Sequence, residues 1–381
     1  MLTKPTDRVA EQLAALQALA PLIAEHRHAF DRERHLPDVV YKALAEAGLF
    51  RLFLPQALGG PGFSPLQFME IVEAAAALDG SVGWLVGNGG GMSRAGGYLP
   101  ETVARQWFAD PHAFIAAATG AVGNARPCEG GYRVSGRWPF GSGAYHATQF
   151  MGLTSVKTDG REEPPICCYF ARKDVVLQDN WHASGLRGTY SCDFEVEDVF
   201  VPIAHTHPLT DFQPTQAGAV YRLPGRSIFP WTVATVPLGI ARGAMDAFIQ
   251  TVSRKARSEK TLRDCETVQM AMGRMEAIHR AGRAFLIEAM THLLAALDED
   301  VQRLAQARIT FRLACAHAGE SAVRIADLLA AEAGTASILE TGTLERSIRD
   351  IHAATKHIAM NSIGYAMAGR LSLGLDPGPR Y

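Results

Sequence analysis

From Thr232 to the C-terminus the apolar residues recur every three to four positions, and a run that long has to be buried as packed helices. Candidate helices cover Thr232–Ala256, Thr261–Ala296, Asp300–Ala333 and Thr343–Ala368, with Gly364 and Gly369 weakening or ending the last. Long helices with short connections predict an antiparallel bundle. The same period runs from Asp7 to about Asp110, through Val9, Leu13, Leu16, Leu19 and Leu22 and then Val40, Leu44 and Leu49. Leu54–Gly62 is a turn cluster, and Ser64-Pro65 reads as an N-cap with proline at the first helical position, opening a helix into Ala77. Between Ala113 and Pro208 the pattern changes. Gly130–Trp138, Ile166–Phe170, Val175–Leu177 and Phe194–Pro202 are short strand-like runs between turns, which suggests a compact barrel or sandwich.

Charge narrows the function. The 381 residues carry 37 Lys+Arg against 39 Asp+Glu, so a basic nucleic-acid footprint is not expected. With 48% hydrophobic and 20% charged residues the chain is neither disordered nor a polar tail. The longest charge-free apolar stretch near a helix, Ser227–Ala241, contains Pro230 and Pro237 and falls short of the roughly 20 residues a membrane helix needs. The polar start shows no signal peptide, and six cysteines without CxxC spacing read as reduced thiols of a cytoplasmic protein with no metal site. No GxxxxGK[ST], HExxH, GxSxG or GxGxxG occurs in a fitting context, and Gly87–Gly91 reads as a helix break or a close backbone contact.

Three constellations remain. In Gly136–His146, Trp138 and Phe140 lie two apart on a strand, on one face, before the Gly141-Ser142-Gly143 turn. A planar heteroaromatic such as a flavin would suit them, and so would a strand packing two aromatics into a core. In Trp181–Asp193, the small hydroxyls of Thr189 and Ser191 beside Arg187 could bind a phosphate or a flavin edge, but by themselves the residues read first as a turn with an exposed arginine. In Arg349–His357, His352 and His357 are five apart, about 140° around a helix, and so poor co-ligands for one metal.

Taken in order, these pieces resemble the acyl-CoA dehydrogenase superfamily, and most of all its two-component reduced-flavin-dependent monooxygenases. The resemblance rests on Leu54-Pro55 with Gly59-Gly60, on Asp79-Gly80-Ser81-Val82-Gly83-Trp84, and on Gly130–Gly143. It continues through Gly185-Leu186-Arg187-Gly188-Thr189 with Ser191 and Val199–Pro202, then Leu238–Ala244, and ends on Arg349-Asp350 with His352 and His357. It implies an α+β, mainly α fold: residues 1–111 an N-terminal helical domain, 112–225 a central β-barrel and 226–381 a C-terminal four-helix bundle, in a homotetramer.

The superfamily's dehydrogenases abstract an α-proton with a glutamate, which by resemblance would fall near Ile358. No Asp or Glu occurs between Asp350 and Asp376, and the Arg-x-x-Phe-Gly that grips FAD is missing from Thr251–Gln269. The resemblance therefore implies an oxygenase component that takes reduced flavin (FADH2 or FMNH2) from a separate NAD(P)H:flavin reductase. With O2 it would form a C4a-hydroperoxide and hydroxylate a small aromatic such as a phenol or indole. The alternatives are an acyl-CoA dehydrogenase or oxidase with a displaced base, or a non-catalytic binding protein. By resemblance Ser142 would bond the flavin near N5, with Gly143, Arg187, Thr189 and Ser191 around it, and Trp138 and Phe140 would wall the ring. His357, or else His352, would be the base or bond the peroxide. Trp84, Phe229 and Trp231 would line the substrate pocket. Several hydroxylases of this branch carry a histidine where this chain reads Gly89–Arg94; its loss would open the pocket at Met92 and suit a non-phenolic substrate.

Overall fold

A computed structural model describes residues 5–158, 161–210, 213–254, 256–257, 260–340 and 342–378. The chain forms two compact units. The first comprises Met1–Phe68, Leu85–His182 and Arg187–Gly225; the second comprises Met69–Trp84, Ala183–Leu186 and Arg226–Tyr381.

The first unit opens with α1 (Pro5–Ala18), α2 (Ala20–Glu33) and α3 (Asp38–Glu46). Next come α4 (Pro65–Leu78) and α5 (Gly80–Met92), each divided between the units, and then α6 (Glu101–Phe108). The expected cap is a reciprocal one: Gln67 N–H donates to Ser64 Oγ at 3.3 Å and Ser64 N–H to Gln67 Oε1 at 2.9 Å. Gly87–Gly91 does not break α5. A Cβ on Gly89 would lie 2.4 Å from the Phe114 ring, so the glycines mark a close contact.

The β zone is one seven-stranded sheet. Its strands are β1 (Ile115–Cys128), β2 (Gly131–Gly141), β3 (Gln149–Thr158), β4 (Arg161–Ala171), β5 (Val176–Leu177), β6 (Cys192–Pro202) and β7 (Thr206–Pro208), in the order β5-β6-β2-β1-β3-β4-β7. β1 and β3 run parallel and the other neighbours antiparallel. Two strands separate β2 from β4, and two separate β6 from β3, a span of about 14 Å in a flat sheet. Yet the Trp138 and Phe170 rings are 5.4 Å apart and those of Phe150 and Phe194 5.0 Å apart. The sheet therefore curls tightly around one aromatic core, as in a barrel and not as in a two-sheet sandwich. Short α7 (Ala219–Arg222) follows.

The second unit holds α8 (Gly225–Ala234) from Arg226 onward, α9 (Val236–Arg254), a hairpin of β8 (Ala256–Arg257) and β9 (Lys260–Thr261), α10 (Glu266–Ala295), α11 (Val301–Ala333), α12 (Thr343–Ala354) and α13 (Ile363–Ser372). α10 packs along α11, α9 against α11 and α12, and α13 against α11. Asp300 caps α11, accepting from Arg303 N–H at 2.9 Å. Gly239 and Gly243 let α9 touch the α4 backbone: added Cβ atoms would lie 2.4 Å from Glu73 O and 2.1 Å from Ala77 O.

Two expected helices differ. Thr232–Ala256 is two helices, because Pro237 restarts the chain at the first turn of α9. Thr343–Ala368 is broken after Ala354. The Thr355 hydroxyl turns back to Ile351 O at 2.9 Å, and His357 (ψ 140°) is extended and caps a 3-10 turn, Ile358–Met360. No helix among the described residues is long and apolar enough to cross a membrane.

Candidate active site

In the first unit the end of β2 bends sharply. Phe140 has φ +65°, a left-handed conformation that a bulky side chain rarely adopts, and the β2–β6 register shifts between Trp138 and Gly141. The shift undoes the two-residue alternation, so the two aromatics do not share a face. Trp138 is fully buried; its indole N–H donates to Leu153 O at 2.8 Å and it stacks on Phe194. Gly123, Gly136 and Gly152 make its slot, since a Cβ on any of them would come within 2.8 Å of the indole. Trp138 is thus a core residue and walls no ligand. Phe140 points out and is 65% exposed. A strained backbone holding a bare aromatic is a usual mark of a ligand-facing residue.

Beside Phe140 the turn brings three buried hydroxyls into a chain. Ser142 Oγ is 2.8 Å from Ser191 Oγ, which is 2.7 Å from Thr189 Oγ1. Gly143 (φ +81°) fixes this geometry by donating its N–H to Thr189 O at 2.8 Å. His35 forms a bridge with Thr189, and Arg34 O accepts from Tyr190 N–H at 2.9 Å, so the chain after α2 braces the same loop. Arg187 is half-buried in this turn, and its carbonyl accepts from the Trp181 indole at 3.2 Å. Hydroxyls that both donate and accept suit the edge of a flavin, which presents carbonyl oxygens and ring nitrogens.

In the second unit His357 is held at the helix break. Its Nδ1 accepts from Ala359 N–H at 3.2 Å, so in the neutral ring the proton is on Nε2. Trp84, nearly buried, meets it edge to face at 5.7 Å. Surrounding protein, and secondarily the Arg312 charge, lower the His357 pKa to about 4, so at neutral pH the imidazole is an uncharged N–H donor. The residue nevertheless keeps part of its surface accessible. His352 has a different environment: half-exposed, 3.5 Å from the surface carboxylate Asp327. The two histidines thus lie in different surroundings on either side of the break, His352 on α12 and His357 at the turn that follows it.

The second unit also holds a buried carboxyl pair, Asp79 and Asp350. Asp79 Oδ1 caps α5, accepting from Ser81 N–H at 2.9 Å and Val82 N–H at 3.3 Å. Asp350 Oδ1 accepts from Leu186 N–H at 2.6 Å, and Arg349 donates to Ser184 O at 2.8 Å. A Cβ on Gly80 would lie 2.6 Å from Asp350 Oδ2, so the glycine admits the carboxyl. Burial first, and the Asp79 charge second, push the Asp350 pKa up to about 7. The sequence flagged both aspartates as motif members but gave them no role.

Residues 10–96 match the acyl-CoA dehydrogenase N-terminal domain family and residues 231–362 the acyl-CoA dehydrogenase C-terminal domain family. The chain belongs to the acyl-CoA dehydrogenase superfamily. It is similar to indole-3-acetate monooxygenase of Pseudomonas putida, 29% identical over 92% of this chain and 91% of that protein. It is also 29% identical to the flavin-dependent monooxygenase oxygenase subunit HsaA of Rhodococcus jostii (strain RHA1), over 94% of this chain and 97% of that one. The crystal structure of the 3-HSA hydroxylase of Rhodococcus sp. RHA1 superposes with a TM-score of 0.90, at 27% identity over 97% and 98% of the two chains. This superfamily member therefore stands with the flavin-dependent monooxygenases, which are oxidoreductases.

Not every expected pocket residue of this acyl-CoA dehydrogenase-like chain faces a pocket. Trp231 is fully buried against Phe311, their rings 5.9 Å apart, and is core. Phe229 is half-buried, and its carbonyl accepts from the Thr232 hydroxyl at 2.9 Å. Met92 is buried and takes Arg94 Nη1 on its sulfur at 3.6 Å. The histidine-free stretch is filled, not open, because Phe114 occupies the space over Gly89, and Leu52 that over Gly90. No cluster of metal-ligating side chains occurs among the described residues.

Proposed function

We propose that this chain is the oxygenase component of a two-component flavin-dependent monooxygenase that hydroxylates a small aromatic or heteroaromatic, a phenol or an indole. The observation that carries this reading is the chemistry around His357. The usual dehydrogenase base is a carboxylate on that segment, but the residue there is Ile358, and Asp350 is enclosed and engaged with Leu186.

Reduced flavin, when bound, supplies two electrons to O2, so that one oxygen atom enters the substrate and the other leaves as water. Ser142, Ser191 and Thr189 bind and orient the flavin edge, with Gly143 setting their spacing and Arg187 offering charge to a phosphate. Phe140 presents an apolar face to the ring and excludes water. His357 donates Nε2–H and is oriented by Trp84 and by Ala359 N–H. With Nδ1 already engaged and the pKa lowered, it serves as a hydrogen-bond donor and not as a base.

A subunit named as an oxygenase implies a separate reductase, and this chain is read as depending on an NAD(P)H:flavin reductase. It is read further as a cytoplasmic homotetramer with neither nucleic acid nor membrane as partner. The test is anaerobic loading with FADH2 or FMNH2, then addition of isotopically labelled O2 with a phenol and an indole. Label in the hydroxylated product is the expected result. Reduction of bound oxidised flavin by an acyl-CoA would establish the dehydrogenase instead.

A further inference from the structure

Arg312 lies on α11 in the second unit, with only 9% of its surface exposed. Its Nη2 donates to Ile358 O at 3.0 Å, on the turn that His357 caps. Its Nε is buried with no hydrogen-bond partner, and among the described residues no carboxylate lies within ion-pair distance of the guanidinium. A guanidinium has five N–H donors and stays cationic in proteins. Desolvating such a group without a counter-charge is costly, and folded chains rarely tolerate it unless something else completes the pair. The burial is enough to lower the Arg312 pKa, and the charge is felt at His357.

We infer that Arg312 is the counter-charge for a carboxylate on the substrate, so that the chain acts on aromatic acids rather than on uncharged aromatics. The inference rests on the monooxygenase reading for the reaction, but not for the binding. The guanidinium fork would take the carboxylate through Nε and the Nη2 hydrogen parallel to it, the planar two-point geometry of such pairs. The second Nη2 hydrogen would stay on Ile358 O, and the aromatic ring would be set beside His357 and Trp84. The alternative is that Arg312 only fastens the His357 turn through Ile358 O. That role makes no distinction between charged and neutral ligands.

The experiment is calorimetric titration of the full chain with matched pairs: indole-3-acetate against indole-3-acetamide, and 3-hydroxyphenylacetate against its amide. The wild type is expected to bind at least one acid about tenfold or more tighter than its amide. Arg312→Met should abolish that preference while leaving the amide's affinity in place, and Arg312→Lys should keep part of it. If no acid outbinds its amide in the wild type, the inference falls whether or not any variant folds. Equal loss of both ligands in Arg312→Met assigns the residue to the turn and also overturns it. So does dissociation of an oligomer on substitution, seen by light scattering, because the missing carboxylate then belongs to a second copy of the chain. An acid preference without label from O2 in any product would sustain Arg312 while removing the monooxygenase reading.

Discussion

The Leu186 amide donates a 2.6 Å hydrogen bond to Asp350 Oδ1, while Asp350 Oδ2, enclosed against Gly80, has no hydrogen-bond partner among the described residues. The carboxyl thus ties the 183–186 segment to α12 from a site that resists its ionisation. Its folded pKa, about 7, lies above the ordinary 3.8, so between these values the folded state holds a proton that the unfolded state has lost. This group's contribution to stability is therefore full below about pH 4 and is lost as pH rises through 7. Asp350→Asn keeps an acceptor for Leu186 and cannot ionise. Its melting temperature should fall less than the wild type's between pH 5 and 8. Parallel pH profiles by calorimetry would rule the assignment out.

His357 titrates with the opposite sign. Its folded pKa of about 4 is below the ordinary 6.5, so its contribution is full above 6.5 and is lost as pH falls toward 4. As a neutral donor it should leave product formation flat between about pH 6 and 8. His357→Gln can keep an N–H near Nε2, whereas His357→Phe cannot. Product yield should drop by less than about tenfold in the first and by about a hundredfold in the second. Equal losses in both would restore the role of base.

Ser142 occupies one end of the hydroxyl chain, and its loss leaves Ser191 with Thr189 alone. With a buried hydrogen bond removed, Ser142→Ala should raise the ratio of released hydrogen peroxide to hydroxylated product by about tenfold. Thr189→Val, which breaks the other end, should give a smaller rise in a peroxide assay. An unchanged ratio in Ser142→Ala would take Ser142 away from the reacting centre.

The Trp138 slot makes a prediction about stability alone. A Cβ on Gly152 would lie 2.5 Å from the indole, whose N–H is fixed to Leu153 O. Gly152→Ala should destabilise the fold by about 1–3 kcal/mol through overpacking. Urea denaturation monitored by tryptophan fluorescence measures this directly.

Much of the site was readable in the residue order, though not its geometry. Ser142, Thr189 and Ser191 could be marked as a hydroxyl set because small polar residues beside glycines announce a turn. What they touch could not be read, since β2 and the 187–191 loop meet only through the sheet. Trp138 and Phe140 do not share a face, because alternation assumes a regular strand and the left-handed Phe140 breaks it. The helical spacing of His352 and His357 presumes a continuous helix, which the turn at Thr355 interrupts. Arg312 gave no signal, because one arginine in a long helix looks like any solvated one. β1 passed unremarked because its run of alanines and glycines carries no strand propensity of its own.

The near-balanced charge, the periods of three to four residues flanking a strand zone, and the absence of an Asp or Glu between Asp350 and Asp376 are fixed by the sequence alone. They indicate the class of fold and leave the usual position of the dehydrogenase base without a carboxylate, because periodicity and residue type are local properties. Tertiary structure decided which imidazole is a neutral donor, that Trp138 is core, that Asp350 shares a buried space with Asp79, and that Arg312 has no counter-charge among the described residues. These depend on desolvation and on partners far apart in the chain, and both exist only once the segments are packed together.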